Sequence, residues 1–477
     1  MAIVLGMIIG YIVLTNILGI VVGRKVSSSS TFLVGGGKFG WVLIAAFLCG
    51  AWEGSGSSIG ITQQAFNKGI YPGFYSAFFS FGLIIAAFFM VPLARRLGVL
   101  SLPQLVGNLF GPSGRYVTAV LWTLQDLIIL SMQYVGAAGI FSAIFGIPVH
   151  WGVLIALASV AVYMVMGGLV ASAWTNIMHV ITLTIAAIVA VPLALSYGGG
   201  FGEVVATLPQ KYFNVSGMGM QNMLGWYLAV AAGPIIHQIT FQMSASAKSE
   251  REAKKGFVAS AAIVLLFATP FAILGVVAKK YIPGTTDLLA MADLAMSISP
   301  WFAGLLLSGV LAAIISTMAP MAVTGPTIFV NDLYKPLRPE AKDKELLLVS
   351  RICAVAYLLV GLVVALFVKE IVAATVFAFT FRLVVLCNVV IPLALASYKL
   401  VTAEGGVLGI IFGGAAPVIS QFIVHSKVPG MYWAVLGAVV GLIIGSVITR
   451  YRGHYVKRVW SYMKAHAMEK TVQELSN

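Results

Sequence analysis

The chain is a succession of apolar runs about 20 residues long, divided by short polar loops, and the first of them, IVLGMIIGYIVLTNILGIVVG, begins at residue 3. Runs of that length match the hydrocarbon thickness of a bilayer. Backbone inside lipid must satisfy its own hydrogen bonds, so such runs are helices. Only 9% of the 477 residues are charged, against about 25% in a soluble domain. The chain therefore reads as an all-α integral membrane protein surrounded by lipid. No basic segment and no small-residue cleavage site precede Arg24, so the first run is expected to be a retained helix rather than a signal peptide.

Thirteen spans are expected, near 3–22, 40–66, 73–94, 116–146, 150–168, 175–197, 221–246, 257–278, 300–330, 347–368, 371–397, 404–425 and 430–449. With the N-terminus outside, 21 basic residues fall in inner loops and the tail, 6 fall in outer loops, and Arg351 and Arg382 lie within spans. Basic loops stay in the cytoplasm, which predicts an outside N-terminus and a cytoplasmic C-terminus in a plasma (inner) membrane. The net charge of +14 is thereby an orientation signal, and no nucleic-acid partner is needed to explain it. Cys49, Cys353 and Cys387 sit in apolar spans without a disulfide or metal spacing.

Two spans are interrupted. The second contains GAWEGSGSSIG, residues 50–60, and the seventh contains AVAAGPIIHQ, with Gly233-Pro234 followed by His237 and Gln238. Pro234 lacks an amide donor and crowds the preceding turn, so a kink or break is expected there. The breaks lie five spans apart, each opening a five-helix unit, 40–197 and 221–397. An odd repeat inverts the second unit relative to the first. Paired interrupted helices point to a midplane binding site of a secondary transporter, although single glycines also serve helix packing. Around the 5+5 core the reading places an extra N-terminal helix (1–25), a C-terminal helix pair (404–450) and a cytoplasmic tail (451–477). That tail is expected to be an amphipathic or frayed helix. Residues 1–450 form one transmembrane domain in this reading.

The ninth span carries GVLAAIISTMAPMAV, in which Ser316 and Thr317 follow Ala313 by three and four positions. Such hydroxyls commonly bond back to helix carbonyls. They also suit sodium, a hard cation that takes about five or six oxygens; a broken second span would free carbonyls to complete the set.

Four segments, in order, resemble the sodium:solute symporter family: GWVLIAAFLCGAWEGSGSSIGITQQAFNKGIYPG, YMVMGGLVASAWTNIMHVI, QMSASAKSEREAKKG and GVLAAIISTMAPMAVTGPTIFVNDLYK. The resemblance implies a leucine-transporter-type inverted-repeat fold and Na+ as coupling ion. By matched positions it implies a sodium site of the Gly50, Glu53 and Ala313 carbonyls with the Ser316 and Thr317 hydroxyls. Asn176 stands where members with a second sodium site have an aspartate, and Ala319 and Pro320 replace two further hydroxyls. One sodium per cycle is therefore expected. Gln242-Met243 and Gly233-Pro234 depart from a Gln-Arg pair and from the aromatic gate of some sugar carriers, which argues against sugar by that arrangement. Trp52 within AWEGSG is shared with the choline-type branch, and a tryptophan face can hold an ammonium.

Intramembrane charges are functional candidates: Glu53, Asp126 and Arg382. With Trp52, Ser55, Ser57, Gly233, His237 and Gln238 they make up the candidate solute contacts. Each has a structural alternative, such as a Glu53–Arg382 pair, a polar packing role for Asp126, or a hydrogen-bonded buried histidine. The reading is a sodium-coupled importer of a small organic solute working by alternating access, with a monomer as the expected unit. A proton-coupled symporter of the same fold is the alternative. A membrane sensor lacks any signalling extension, and no metal cluster, nucleophile elbow or paired-acid motif supports an enzyme.

Overall fold

The computed structural model describes residues 2–215, 219–368, 371–426 and 428–456. Among them only two isolated bridges, Phe39–Ala247 and Thr402–Tyr455, depart from helix and loop. The principal helices are α1 Ala2–Gly23, α2 Trp41–Trp52, α3 Gly56–Lys68, α4 Tyr71–Leu97, α5 Leu102–Phe145, α6 Val149–Tyr197, α7 Met220–Ile236 and α8 Gln238–Ser246. They continue as α9 Glu250–Tyr281, α10 Pro300–Leu337, α11 Asp343–Ala365, α12 Ile371–Leu395, α13 Ala403–Ile423 and α14 Gly430–Thr449.

Ten of these helices are long and apolar enough to cross a membrane, and α2–α3, bent by 56° at their break, add an eleventh. The expected thirteen spans differ from that count for two reasons. The first is that α6 is two helices joined at Gly168, where φ is +50°. Asn16 donates to the Ser159 carbonyl over 3.1 Å, Gly23 packs on Gly167, and Tyr11 is hydrogen-bonded to His179. The chain thus ascends and then descends beside α1, reversing at a glycine where an added Cβ would meet the Phe32 carbonyl at 2.5 Å. The second reason is that α7 and α8 form one interrupted span whose halves are each short. In α5, Gly111 (φ +77°) separates a short entry helix from the spanning portion.

The helix α10 is the central post, buried without interruption from Leu306 to Ile328. A helix apolar on every side belongs in such a place. Small residues set its contacts: Gly304 faces Met7 of α1 and Gly309 faces Ala186 of α6. The hairpin of α13 and α14 closes on glycines, with Gly445 against Gly405 and Gly441 against Gly409. Large apolar side chains such as Phe88, Phe89, Leu228, Trp301 and Val447 face outward, as a lipid-bathed surface requires. Of the tail reading, residues 457–477 lie outside the described residues.

Candidate functional site

The glycine-rich segment after Trp52 cannot continue the helix. Glu53 leaves it (φ −97°, ψ 85°), and the chain re-enters through a wide turn at Gly56–Gly60 before α3. Space demands the glycines here. A Cβ on Gly50 would lie 2.7 Å from Asn176 Cγ and 2.9 Å from Ser316 Cβ, and one on Gly54 would lie 2.7 Å from Thr317 Oγ1. The break therefore sits directly against α10.

Four of the five expected sodium oxygens converge there. Ser316 Oγ lies 2.9 Å from the Gly50 carbonyl and 2.8 Å from that of Ala313. Thr317 Oγ1 lies 3.1 and 3.2 Å from the same two oxygens. Neighbouring oxygens around a hard cation are about 3–3.5 Å apart when metal–oxygen distances are about 2.4 Å. Two hydroxyl hydrogens serve two carbonyls in this arrangement, and a hydroxyl rotates freely enough to turn its lone pairs toward a cation. The carbonyl of Glu53 belongs to the first residue out of helical geometry, whereas its side chain is buried with neither carboxylate oxygen partnered.

A cavity of about 30 Å³ adjoins these oxygens and is lined by Trp52, Gly54, Ser57, Thr317, Thr375 and Arg382, among others. It has room for about two water molecules. Its remaining wall is largely aromatic and thioether, from Tyr75, Phe79, Met132, Met321 and Phe379. The Ser55 side chain turns away: its hydroxyl donates to the Met132 carbonyl over 3.0 Å and its amide donates to Gln133 Oε1 over 2.7 Å. The Ser57 hydroxyl donates to the Gly54 carbonyl over 3.1 Å.

Behind Trp52 runs a buried polar chain. Arg382 Nε donates to Gln125 Oε1 over 3.1 Å, Gln125 Nε2 donates to Asp126 Oδ1 over 2.8 Å, and Thr324 donates to Asp126 Oδ2 over 2.9 Å. His237 is the residue at which α7 passes into α8, in extended geometry three positions beyond Pro234. Pro234 is accommodated inside α7, and the opening falls where the His237 ring caps α8. Its Nδ1 accepts the Ile239 amide at 3.2 Å, which leaves the proton on Nε2, 3.3 Å from Asp126 Oδ1. The ring meets Trp52 edge-on at 4.7 Å and Trp122 at 5.1 Å. Gly233 gives room to Arg382, whose Nη1 would be 2.5 Å from a Cβ there. Gln238 lies elsewhere, bonded to the backbone of Leu100 and Leu102. Asp126, His237 and Gln238 therefore hold the frame while Trp52, Ser57 and Arg382 line the cavity.

The two ends of the bundle differ. At one, an open vestibule of about 750 Å³ is bounded by residues including Gln64, Asn67, Asp287, Phe377 and Gln421. Within α12, Val376, Phe377 and Thr380 face this vestibule, while Thr375, Phe379 and Arg382 face the inner cavity. At the other end, Asp332 Oδ1 accepts from Ser101 Oγ at 2.8 Å and Arg115 Nε at 2.7 Å. Arg95 caps the carbonyls of Ser244 and Ala247 there, and Gln242 ties Leu33 to Thr327.

The sodium/glucose cotransporter of Vibrio parahaemolyticus is 25% identical over 379 residues, spanning 71% of this chain and 69% of its own. The sodium/proline symporter of Escherichia coli (strain K12) is 24% identical over 463 residues, 90% of each chain. Among solved structures, an outward-open, substrate-bound Na+-coupled sialic acid symporter superposes with a TM-score of 0.81 at 15% identity, over 96% of this chain and 98% of its own. That likeness shows the fold, an inverted-repeat transporter architecture. Residues 32–413 match the profile of the sodium:solute symporter family, so this multi-pass membrane protein belongs to that family and is a sodium-coupled symporter.

Proposed function

We propose that the chain imports a small organic solute with one sodium ion per cycle by alternating access. The sodium is held by the carbonyls of Gly50, Glu53 and Ala313 and the hydroxyls of Ser316 and Thr317. The observation that carries this reading is the meeting of the Gly50 and Ala313 carbonyls with both hydroxyls at 2.8–3.2 Å, beside a buried cavity.

The stoichiometry of one rests on Asn176. Its Nδ2 donates to the Phe47 carbonyl over 3.2 Å, an uncharged amide where a second cation would need an anion. Ala319 and Pro320 supply no side-chain oxygen.

The distribution of basic residues supports an outside N-terminus and a C-terminus in the cytoplasm, in the plasma membrane. The vestibule is then the outer one and the Asp332–Arg115 cluster closes the cytoplasmic end. The five-helix units, 40–197 and 221–397, move against each other, and sodium joining α2 to α10 favours the outward-facing arrangement that receives solute.

Reconstitution into liposomes tests the reading. Uptake of solute should require an inward sodium gradient, and Ser316→Ala with Thr317→Ala should remove that requirement together with uptake. Sodium stabilising the double variant as well as the wild type would overturn the site. Uptake without sodium that follows a pH gradient would support the proton-coupled alternative instead.

A further inference from the structure

Among the described residues, the cavity beside the proposed sodium ligands has one charged side chain in its wall, and that charge is positive. Arg382 is 2% exposed in the middle of α12. Its Nε is bonded to Gln125, its guanidinium carbon lies 3.8 Å from the centre of the Phe379 ring, and its Nη1 has no hydrogen-bond partner. A guanidinium keeps its charge inside a protein, and a buried charge-bearing donor without an acceptor is costly. The acid nearest in this network, Asp126, is occupied by Gln125 and Thr324 and faces His237. The carboxyl of Glu53 is not among the lining groups. Arg382 thus borders the cavity without an anionic partner among the described residues, its Nη1 lying against Gly233.

We infer that the solute is a small organic carboxylate without an ammonium group, bound through Arg382 with its apolar body against Trp52 and Phe79 in a state that widens the cavity beyond its volume of about 30 Å³ here. This rests on the symport reading given above and names the substrate class of that site. A cationic amine would meet the guanidinium as a like charge and would find no acid among the described wall residues to receive it. A sugar would leave the guanidinium of Arg382 opposite an uncharged group. Thr317, a proposed sodium ligand, borders the same cavity, so a carboxylate and a sodium ion enter as a neutral pair and attract one another in a low-dielectric setting. That attraction is a coupling between ion and solute, each raising the other's affinity.

The test measures binding of propionate, pyruvate and benzoate to the purified full chain, against propionamide, pyruvamide, benzamide and proline, in sodium chloride and in potassium chloride. At least one carboxylate should bind at least about tenfold more tightly than its amide, as the loss of a charge-assisted hydrogen bond implies, and only with sodium. In Arg382→Gln the preference for carboxylate over amide should collapse to near unity, and in Arg382→Lys it should be intermediate. If Arg382→Gln does not fold, Gly233→Ala, whose methyl would displace Nη1, should reduce the preference in the same way. Carboxylates binding no better than their amides, or proline binding more tightly than every plain carboxylate, would overturn the inference. If sodium still stabilises the protein in that case, the symport reading survives it. Carboxylate binding that is equal in potassium would support the anion site while overturning the sodium assignment.

Discussion

Thr317 donates to the carbonyl of Gly50 over 3.1 Å, joining residues 267 positions apart. That bond, with its twin from Ser316, crosses between the broken helix and the central post. In the proposed cycle, a sodium ion among these oxygens would hold together the two parts of the molecule that separate for the solute to leave.

Gly50 is the most exposed to test of the proposed sodium ligands, because a carbonyl cannot be mutated but its position can. Gly50→Ala places a methyl within 2.9 Å of both Asn176 and Ser316. Overpacking of this kind costs about 1–3 kcal/mol, and it falls on the ion site. Sodium affinity, read from a titration of thermal stability, should fall about tenfold or more. An unchanged titration would show that α2 and α10 separate without consequence for the ion.

Glu53→Gln should leave sodium affinity within about threefold of the wild type. The proposed ligand is the main-chain carbonyl, which glutamine supplies equally, and a neutral amide is cheaper to bury than an unpartnered carboxyl. A loss beyond that range in the same titration would assign the carboxylate itself a part in binding the cation.

Asp332→Asn should loosen the end opposite the vestibule. Asparagine keeps the volume but gives up the charge that Arg115 and Ser101 hold, worth about one factor of ten in the local opening equilibrium. Hydrogen exchange across residues 95–102 should accelerate by about that factor, and exchange at the vestibule should not rise with it.

Gly441→Leu addresses packing remote from the site. The glycine sits 2.9 Å, measured from an added Cβ, from the Gly409 Cα, so leucine must part α13 from α14. The unfolding temperature should drop by the equivalent of about 2 kcal/mol while the sodium titration keeps its midpoint. A shifted midpoint would tie the C-terminal pair to ion binding.

Hydropathy was enough to place the spans, because lipid forces every backbone bond inward and leaves a 20-residue signature. It even separated the two halves of α6, which meet at the non-helical Gly168. Ser316 and Thr317 were legible since two adjacent hydroxyls are conspicuous in an apolar run. Gln133, Thr375, Tyr75 and Phe379 were not. They line the cavity or hold its wall by virtue of helix rotation and crossing, which a lone sequence of apolar helices does not encode locally. Ser55 illustrates the converse: its place in the broken segment suggested solute contact, yet its hydroxyl is consumed by the Met132 carbonyl. The break of the seventh span was read at Pro234 and lies at His237, since a proline can remain in a helix whose next turn supplies other partners.

The double exposure of α12 has a consequence for how such a chain diversifies. Phe377 and Thr380 look into the entrance while Phe379 and Arg382, one or two positions away, touch the chamber below. A substitution that tilts or turns this helix moves the side chains facing both spaces at once, so in the proposed cycle a change of cargo would also reset how readily the doorway opens. Taste and tempo are therefore inherited together, and a change in one would carry a change in the other until a compensating substitution on a neighbouring helix uncoupled them.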